Sequence, residues 1–237
     1  MKILAMDTSN KVLSLALMKN DNVVANFTLN IKKSHSITLM PAIDQLFKIV
    51  NWLPEQLAKI VVSAGPGSYT GVKIAVTTAK TLAYTLNRPL VAISSLALLA
   101  QNACFFEGLI VPLFDARRDN VYAGGYRFIK GKLTSVIKDA HLPFAKLLAS
   151  FLKEQQILFL GEDVKKIHSK IKNVLPQALI CQNVVLNIPN ASNLAWMSRE
   201  VKPVRDVHAF VPWYLKRVEA EEEWLKKNKK ENYVKRN

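Results

Sequence analysis

The sequence predicts an α/β protein of two lobes, each following the element order β-β-β-α-β-α-β-α. Three observations predict it. Two short apolar runs, 2–7 and 109–115, each end in a carboxylate, Asp7 and Asp115. Each run is followed by β-type segments around a turn signal, Lys19-Asn20-Asp21 in the first half and Lys130-Gly131 in the second. Behind each hairpin, helical and strand patterns alternate. The halves share this order without obvious similarity residue by residue.

In the first half, segments 12–18 and 22–30 form the hairpin after strand 2–7. From His35 to Val50 apolar residues recur at helical spacing, with Leu39, Ile43, Leu46 and Val50 on one line and Met40 and Phe47 beside it. Residues 59–63 form an apolar strand core, followed by the loop Gly65-Pro66-Gly67-Ser68-Tyr69-Thr70-Gly71 and a helix to about Leu86. Strand 90–93 and helix 95–103 close the half. In the second half, strands 109–115, 120–128 and 132–137 lead to a helix over 143–154, strand 157–160 and a helix over 163–172. A short strand near 178–181, or alternatively one within 182–189, and a helix from about Ala191 complete it. The predicted divisions are 1–105, an N-terminal lobe; 106–200, a C-terminal lobe; and 201–237, a C-terminal helix and basic tail packing back on the lobes.

Three antiparallel strands followed by alternating helices and strands, twice over, is the plan of the actin-like, Hsp70-like and sugar-kinase superfamily (ASKHA). There two lobes face each other across a cleft, and ligands sit at the carboxyl ends of the strands. This analogy concerns the fold and leaves the chemistry open.

Half of the 237 residues are apolar, ample for a buried core, so a disordered or fibrous chain is excluded. Net charge is +15, and both halves lean basic, which favours anionic partners such as tRNA without specifying one. Cys104 and Cys181 offer no spacing motif and fit a reducing cytosol. An Asp at position 7 comes too early for a signal sequence. The longest uncharged stretch, 89–106, reads as a strand and a helix and not as a membrane span, so a soluble, cytoplasmic protein without membrane contact is expected.

The strand-end turns are Asp7-Thr8-Ser9-Asn10 and Asp115-Ala116-Arg117-Arg118-Asp119. Active ATPases of this plan place glycines there so that backbone amides can approach phosphates. Neither turn has one. Both Asp residues can simply cap turns, while Arg117 and Arg118 can meet a phosphate or a partner carboxylate. The 65–71 loop follows a strand and opens a helix, which suits an anion. It is not a Walker A loop, because Gly71 is followed by Val72 and then Lys73. A plain strand-to-helix turn capped by Ser68 or Thr70 accounts for it equally well. A degenerate nucleotide or anion site would therefore comprise Asp7, Thr8, Ser9, Gly65, Gly67, Ser68, Thr70, Asp115, Arg117 and Arg118. His35, His141, His168 and His208 show no metal-ligand spacing, and no Ser or Cys sits in a nucleophile elbow, so neither a metal site nor a catalytic residue is predicted.

Helix 72–86 carries Lys73 and Lys80 as its charges, and Ala75, Ala79 and Ala83 form an i, i+4, i+8 line flanked by Val76 and Leu86. Such a line admits a close-packed second helix. Helix 35–50 is apolar on more than one side. Burial within the monomer and a face for a second subunit both account for this pattern, and the second is the preferred reading.

The strings MKILAMDTS, Ser34-His35-Ser36 with Leu39-Met40-Pro41-Ala42-Ile43, AGPGSYTGVKIA, DARRDNVY and PWYLKRVEAEEEW occur in order. Together they resemble the bacterial TsaB (YeaZ) family over nearly the whole chain. Ala75 stands where the family commonly has Gly, Lys216 replaces the usual Arg, and the tail beyond 225 is long. The resemblance implies a non-catalytic subunit that binds and activates TsaD, the paralogous transferase that carries a metal. Their joint product is N6-threonylcarbamoyladenosine beside the anticodon of tRNAs that read codons starting with A. It implies docking of TsaD through the first two N-terminal helices, here His35, Leu39, Met40, Ile43, Phe47, Val72, Ala75, Val76, Ala79 and Ala83, and a homodimer through the same face. It further implies TsaE at the junction, only indirect contact with tRNA, no cofactor in the isolated chain, and ATP or ADP at the TsaD junction. Two rival readings are an autonomous ATP-dependent enzyme of the same plan, with Asp7 orienting a metal and Asp115 acting in the second turn, and a plain tRNA-binding module.

Overall fold

The computed structural model describes residues 1–31 and 34–216. The axis of the first sheet is β1 (Lys2–Asp7), which pairs antiparallel with β2 (Leu13–Lys19) and parallel with β4 (Lys59–Ser63). With β3 (Asn22–Leu29) and β5 (Leu90–Ile93) the order is β3-β2-β1-β4-β5. The second sheet repeats the plan with β6 (Leu109–Asp115) at its axis, β7 (Asn120–Ile129) and β8 (Lys132–Pro143) as the hairpin, and β9 (Ile157–Leu160) and β10 (Leu179–Ile180) parallel to it. Its order is β10-β9-β6-β7-β8.

Both faces of the first sheet are covered, which is why its strands read as continuous apolar runs. Leu4 and Met6 of β1 point toward α1 (His35–Val50) and α2 (Tyr69–Thr85). Ile3 and Ala5 point the other way, onto α3 (Ser95–Gln101) and α6 (Ala191–Met197). The opposite face of α3, with Leu96, Leu99 and Ala100, packs on Ile110 and Phe114 of the second sheet. The outer layer of that sheet holds α4 (Phe144–Ala149) and α5 (His168–Val174). The molecule is thus five layers deep, and the lobes share the middle one. Polar bonds fasten that layer. Ser94 caps α3 by accepting from the amides of Leu96 (3.1 Å) and Ala97 (3.2 Å) while donating to Asp139, which also accepts from the Tyr126 hydroxyl.

The structure differs from the sequence reading in three places. β8 runs on to Pro143, pairing with β7 up to Asn120, so the helix expected over 143–154 begins at Phe144 and ends at Ala149. The helix expected over 163–172 divides into a 3-10 segment, Glu162–Ile167, and α5. The last strand lies where the sequence first placed it, β10 within 178–181, and not in the alternative 182–189. Helix α6, placed by sequence in the second lobe, instead covers the first sheet. Its Ala191 and Ala195 permit a close approach, and the amide of Ala191 donates to the Ser14 hydroxyl at 2.9 Å.

After α6 the chain returns along the first lobe. Val204, Val207 and Phe210 join the core beneath α2. Lys80 donates to the carbonyls of His208 (2.8 Å) and Phe210 (2.6 Å), and Tyr214 stacks on Tyr69 with centroids 4.7 Å apart. The C-terminal helix and basic tail expected from the sequence lie mostly outside the described residues. Among those described, no helix is long and apolar enough to cross a membrane.

Candidate functional site

The first strand-end turn is filled from within. Asp7 is fully buried; its Oδ1 accepts from the Ser9 amide at 3.3 Å, while Oδ2 has no hydrogen-bond partner among the described residues. Burial pushes the carboxyl above its usual range, partly offset by bonds from Ser63 and Ser9 and by the charge of His35. The 65–71 loop lies directly on this turn. The Thr8 hydroxyl donates to the carbonyl of Gly71 (2.7 Å), and the Ser68 amide donates to the carbonyl of Ser9 (2.6 Å). A Cβ on Gly67 would stand 2.2 Å from the Ser9 carbonyl oxygen, and one on Gly71 2.1 Å from that of Thr8. The glycines therefore admit the chain's own backbone. Of the two candidate caps, Ser68 caps α2 by accepting from the Gly71 amide, whereas Thr70 is exposed within the helix. Gly65 lies below the surface, its carbonyl accepting from the Ser95 amide (2.9 Å).

The second turn is open. Arg117, Arg118 and Asp119 follow one another at φ 64°, 51° and 55°, the left-handed region that side chains with a Cβ seldom enter. The turn is held by the Arg117 amide donating to Asp115 (2.7 Å) and Asn120 donating to the Arg118 carbonyl (2.9 Å). It lines a cavity of about 340 Å³ with Phe144, Asp163, Lys166 and Lys170. Lys166 pairs with Asp163 at 2.7 Å and Lys170 with Asp119 at 2.9 Å. Asp119 is accordingly held below the usual carboxylate range by Lys170, and Lys166 is raised by Asp163. Asp7 is buried in one lobe and Asp115 is exposed in the other, while Asn10 and Lys11 beside the first turn and Phe114, Asp163 and Lys166 beside the second line one cavity of about 320 Å³. Among the described residues no group of three His, Cys, Asp or Glu side chains could hold a metal ion.

The helical face requires a correction. Leu39, Ile43 and Phe47 of α1, with Val72, Ala75, Val76, Ala79 and Ala83 of α2, are buried in the chain's own core against β1, β2 and β4. The small-residue line of α2 lets that helix approach its own sheet. His35 turns inward, its Nε2 donating to the carbonyl of Asn10 at 2.7 Å. Of the ten residues expected at a partner face, Met40 is the one whose side chain stands out, 48% exposed. Ile37 and Ile49, each about 70% exposed, lie at other positions around α1, and Tyr84 of α2, 76% exposed, lines a separate cavity with Lys80, Val207 and His208. Met40, Phe47, Trp52, Leu53 and Leu82 line an apolar cavity of about 400 Å³, with the Asp44–Lys48 ion pair (2.7 Å) at its rim. The sequence reading missed Trp52, Leu53 and Leu82. The available signal was the apolar pair Trp52-Leu53 directly after α1.

A family model described as TsaD, tRNA N6-adenosine threonylcarbamoyltransferase, matches residues 22–224. A Bacillus subtilis protein named tRNA threonylcarbamoyladenosine biosynthesis protein TsaB is 44% identical over 230 residues, spanning 97% of this chain and all of that protein. A solved structure of YeaZ from Pseudomonas aeruginosa superposes with a TM-score of 0.74 at 27% identity, covering 90% of this chain and 99% of that one. An Arthrobacter polyphosphate/ATP-glucomannokinase superposes with a TM-score of 0.50 at 12% identity, over 84% of this chain and 97% of the kinase, which speaks to the actin-like fold alone. The chain belongs to the TsaB (YeaZ) family, whose named relatives are tRNA threonylcarbamoyladenosine biosynthesis proteins.

Proposed function

We propose that this chain is a non-catalytic subunit of tRNA threonylcarbamoyladenosine formation that docks and activates TsaD through the α1–α2 face around Met40. The observation that carries this reading is the apolar cavity of about 400 Å³ lined by Met40, Phe47, Trp52 and Leu53 with Leu82 of the neighbouring helix, where Met40 and Leu53 are exposed. Exposed apolar side chains gathered on one face favour a protein partner. The plugged first turn supports the non-catalytic part, because the space a phosphate would need at the end of β1 is occupied by the 65–71 loop. In this reading the chain needs no cofactor of its own, any ATP or ADP belongs to the junction with TsaD, and TsaE completes the assembly there. Two copies of the chain can pair through the same face when TsaD is absent.

The test combines TsaD, TsaE, the threonylcarbamoyl-adenylate synthase, ATP, threonine, bicarbonate and tRNA, with and without this chain. Modified tRNA is expected only when the chain is present. Met40→Glu places a carboxylate at the apolar docking cavity, where desolvation on binding costs several kcal/mol, of order 100-fold or more in affinity. Co-purification with TsaD should then fall while the monomer stays folded. Wild-type affinity in Met40→Glu would overturn the docking surface, and equal product without the chain would overturn the activating role.

A further inference from the structure

The N-terminal ends of α1 and α2 converge on one turn. His35, the first residue of α1, donates through Nε2 to the carbonyl of Asn10 at 2.7 Å. At the start of α2 the Thr8 hydroxyl donates to the carbonyl of Gly71 at 2.7 Å, and the Ser68 amide donates to the carbonyl of Ser9 at 2.6 Å. Thr8 and Ser9 are buried, so no partner laid on the outer surface reaches them.

Apolar packing and hydrogen bonding do different things here. Leu39, Ile43 and Phe47, like Val72, Ala75 and Ala79, set how deeply each helix sits on the sheet. Close packing of those side chains already restrains each helix against sliding on its bed. A hydrogen bond tolerates only a few tenths of an ångström and a limited angle. The bonds to residues 8–10 therefore tighten the axial register of both helices, and with it the placing of Met40 on α1 against Leu82 on α2, which line one cavity.

We infer that Thr8 and His35 are positioning residues for the docking face: the turn from Asp7 to Asn10 serves as a common anchor that sets α1 and α2 in register for a partner. This rests on the docking reading above. A partner that is complementary to both helices at once would sense a shift of either.

The experiment titrates TsaD into the wild-type chain and into Thr8→Val, Thr8→Ser, His35→Leu, His35→Gln and Met40→Glu by calorimetry, recording the thermal midpoint of each chain. Thr8→Val keeps the side-chain volume and removes the donor; Thr8→Ser keeps the donor. Loss of one hydrogen bond should weaken TsaD binding by roughly 5- to 10-fold in Thr8→Val and His35→Leu at a temperature where both are fully folded. Thr8→Ser should restore it, and His35→Gln should restore it in part. Exchange of the Val72 amide should quicken in Thr8→Val. If Thr8→Val and His35→Leu bind like wild type while Met40→Glu does not, the inference falls and the docking face stands. If Thr8→Ser binds as weakly as Thr8→Val, the hydroxyl is not the determinant and the inference also falls. If Met40→Glu binds like wild type, the docking reading itself fails and the inference falls with it.

Discussion

Asp7 shows how a residue type can look functional and be structural. A carboxylate at the end of a first strand suggests metal or phosphate chemistry, and here it is a desolvated group beneath a loop. Because burial raises its folded pKa above the unfolded value, the charged form penalises the native state above that pKa. The penalty is relieved as pH falls through it. Asp7→Asn keeps an acceptor for the Ser9 amide and carries no charge. The variant should therefore be as stable as the parent or more so at neutral pH, and it should lose the parent's gain in relative stability on mild acidification. Thermal melts between about pH 4 and 8 read this out directly. The same scale separates Met40 from its neighbour Ile43. Ile43→Glu buries an unpaired charge in the first core and should destabilise the chain by roughly 4 kcal/mol, seen as a collapsed denaturation midpoint. Met40→Glu should leave the midpoint within about 0.5 kcal/mol of the parent. Leu39, Ile43 and the alanine line were legible as apolar from spacing, but spacing does not say whether the surface they need is the chain's own or another's. A face buried on the chain's own sheet and one buried on a partner produce the same periodicity until a sheet is placed beneath the helix.

At the scale of elements, the 65–71 loop was recognised as special for its glycines, and both uses of those glycines matched the sequence. Distances decide between them. A methyl group at Gly67 or Gly71 would overlap a carbonyl oxygen of the first turn, so Gly71→Ala should cost about 1–3 kcal/mol through overpacking. A denaturant titration checks this, and an unchanged midpoint would mean that the turn can move aside. Strand and helix identities were legible almost throughout, because alternation and 3.6-residue periods are strong wherever an element is covered on a known number of faces. Ends were less legible. The extension of β8 to Pro143 depends on pairing with β7 at Asn120, a non-local partner that no local pattern records.

At the scale of the molecule, the repeated plan was legible because both halves place the same element types in the same order. The location of α6 was not. Following the second sheet in sequence, it covers Ile3, Ala5, Ala16 and Met18 of the first, and sequence order gives no hint of that return. A fragment comprising residues 1–105 would leave those four side chains without α6. It should be recovered largely as aggregate, whereas the same fragment mixed with a peptide covering 189–216 should gain solubility. A soluble, cooperatively melting 1–105 fragment would contradict the shared-layer arrangement.

The return of the chain over the first lobe also bears on birth order. β1 leaves the ribosome early, yet its sheet is not roofed until α6 emerges, and the backbone bond from Trp213 to Ala64 closes later still. During synthesis the first lobe must wait, half-covered, for the roughly 90 residues from Gln101 to Ala191. A chaperone that shields apolar strands is therefore expected to dwell on the nascent N-terminal half, and slowing translation near its far end should prolong that exposure more than slowing it near its start.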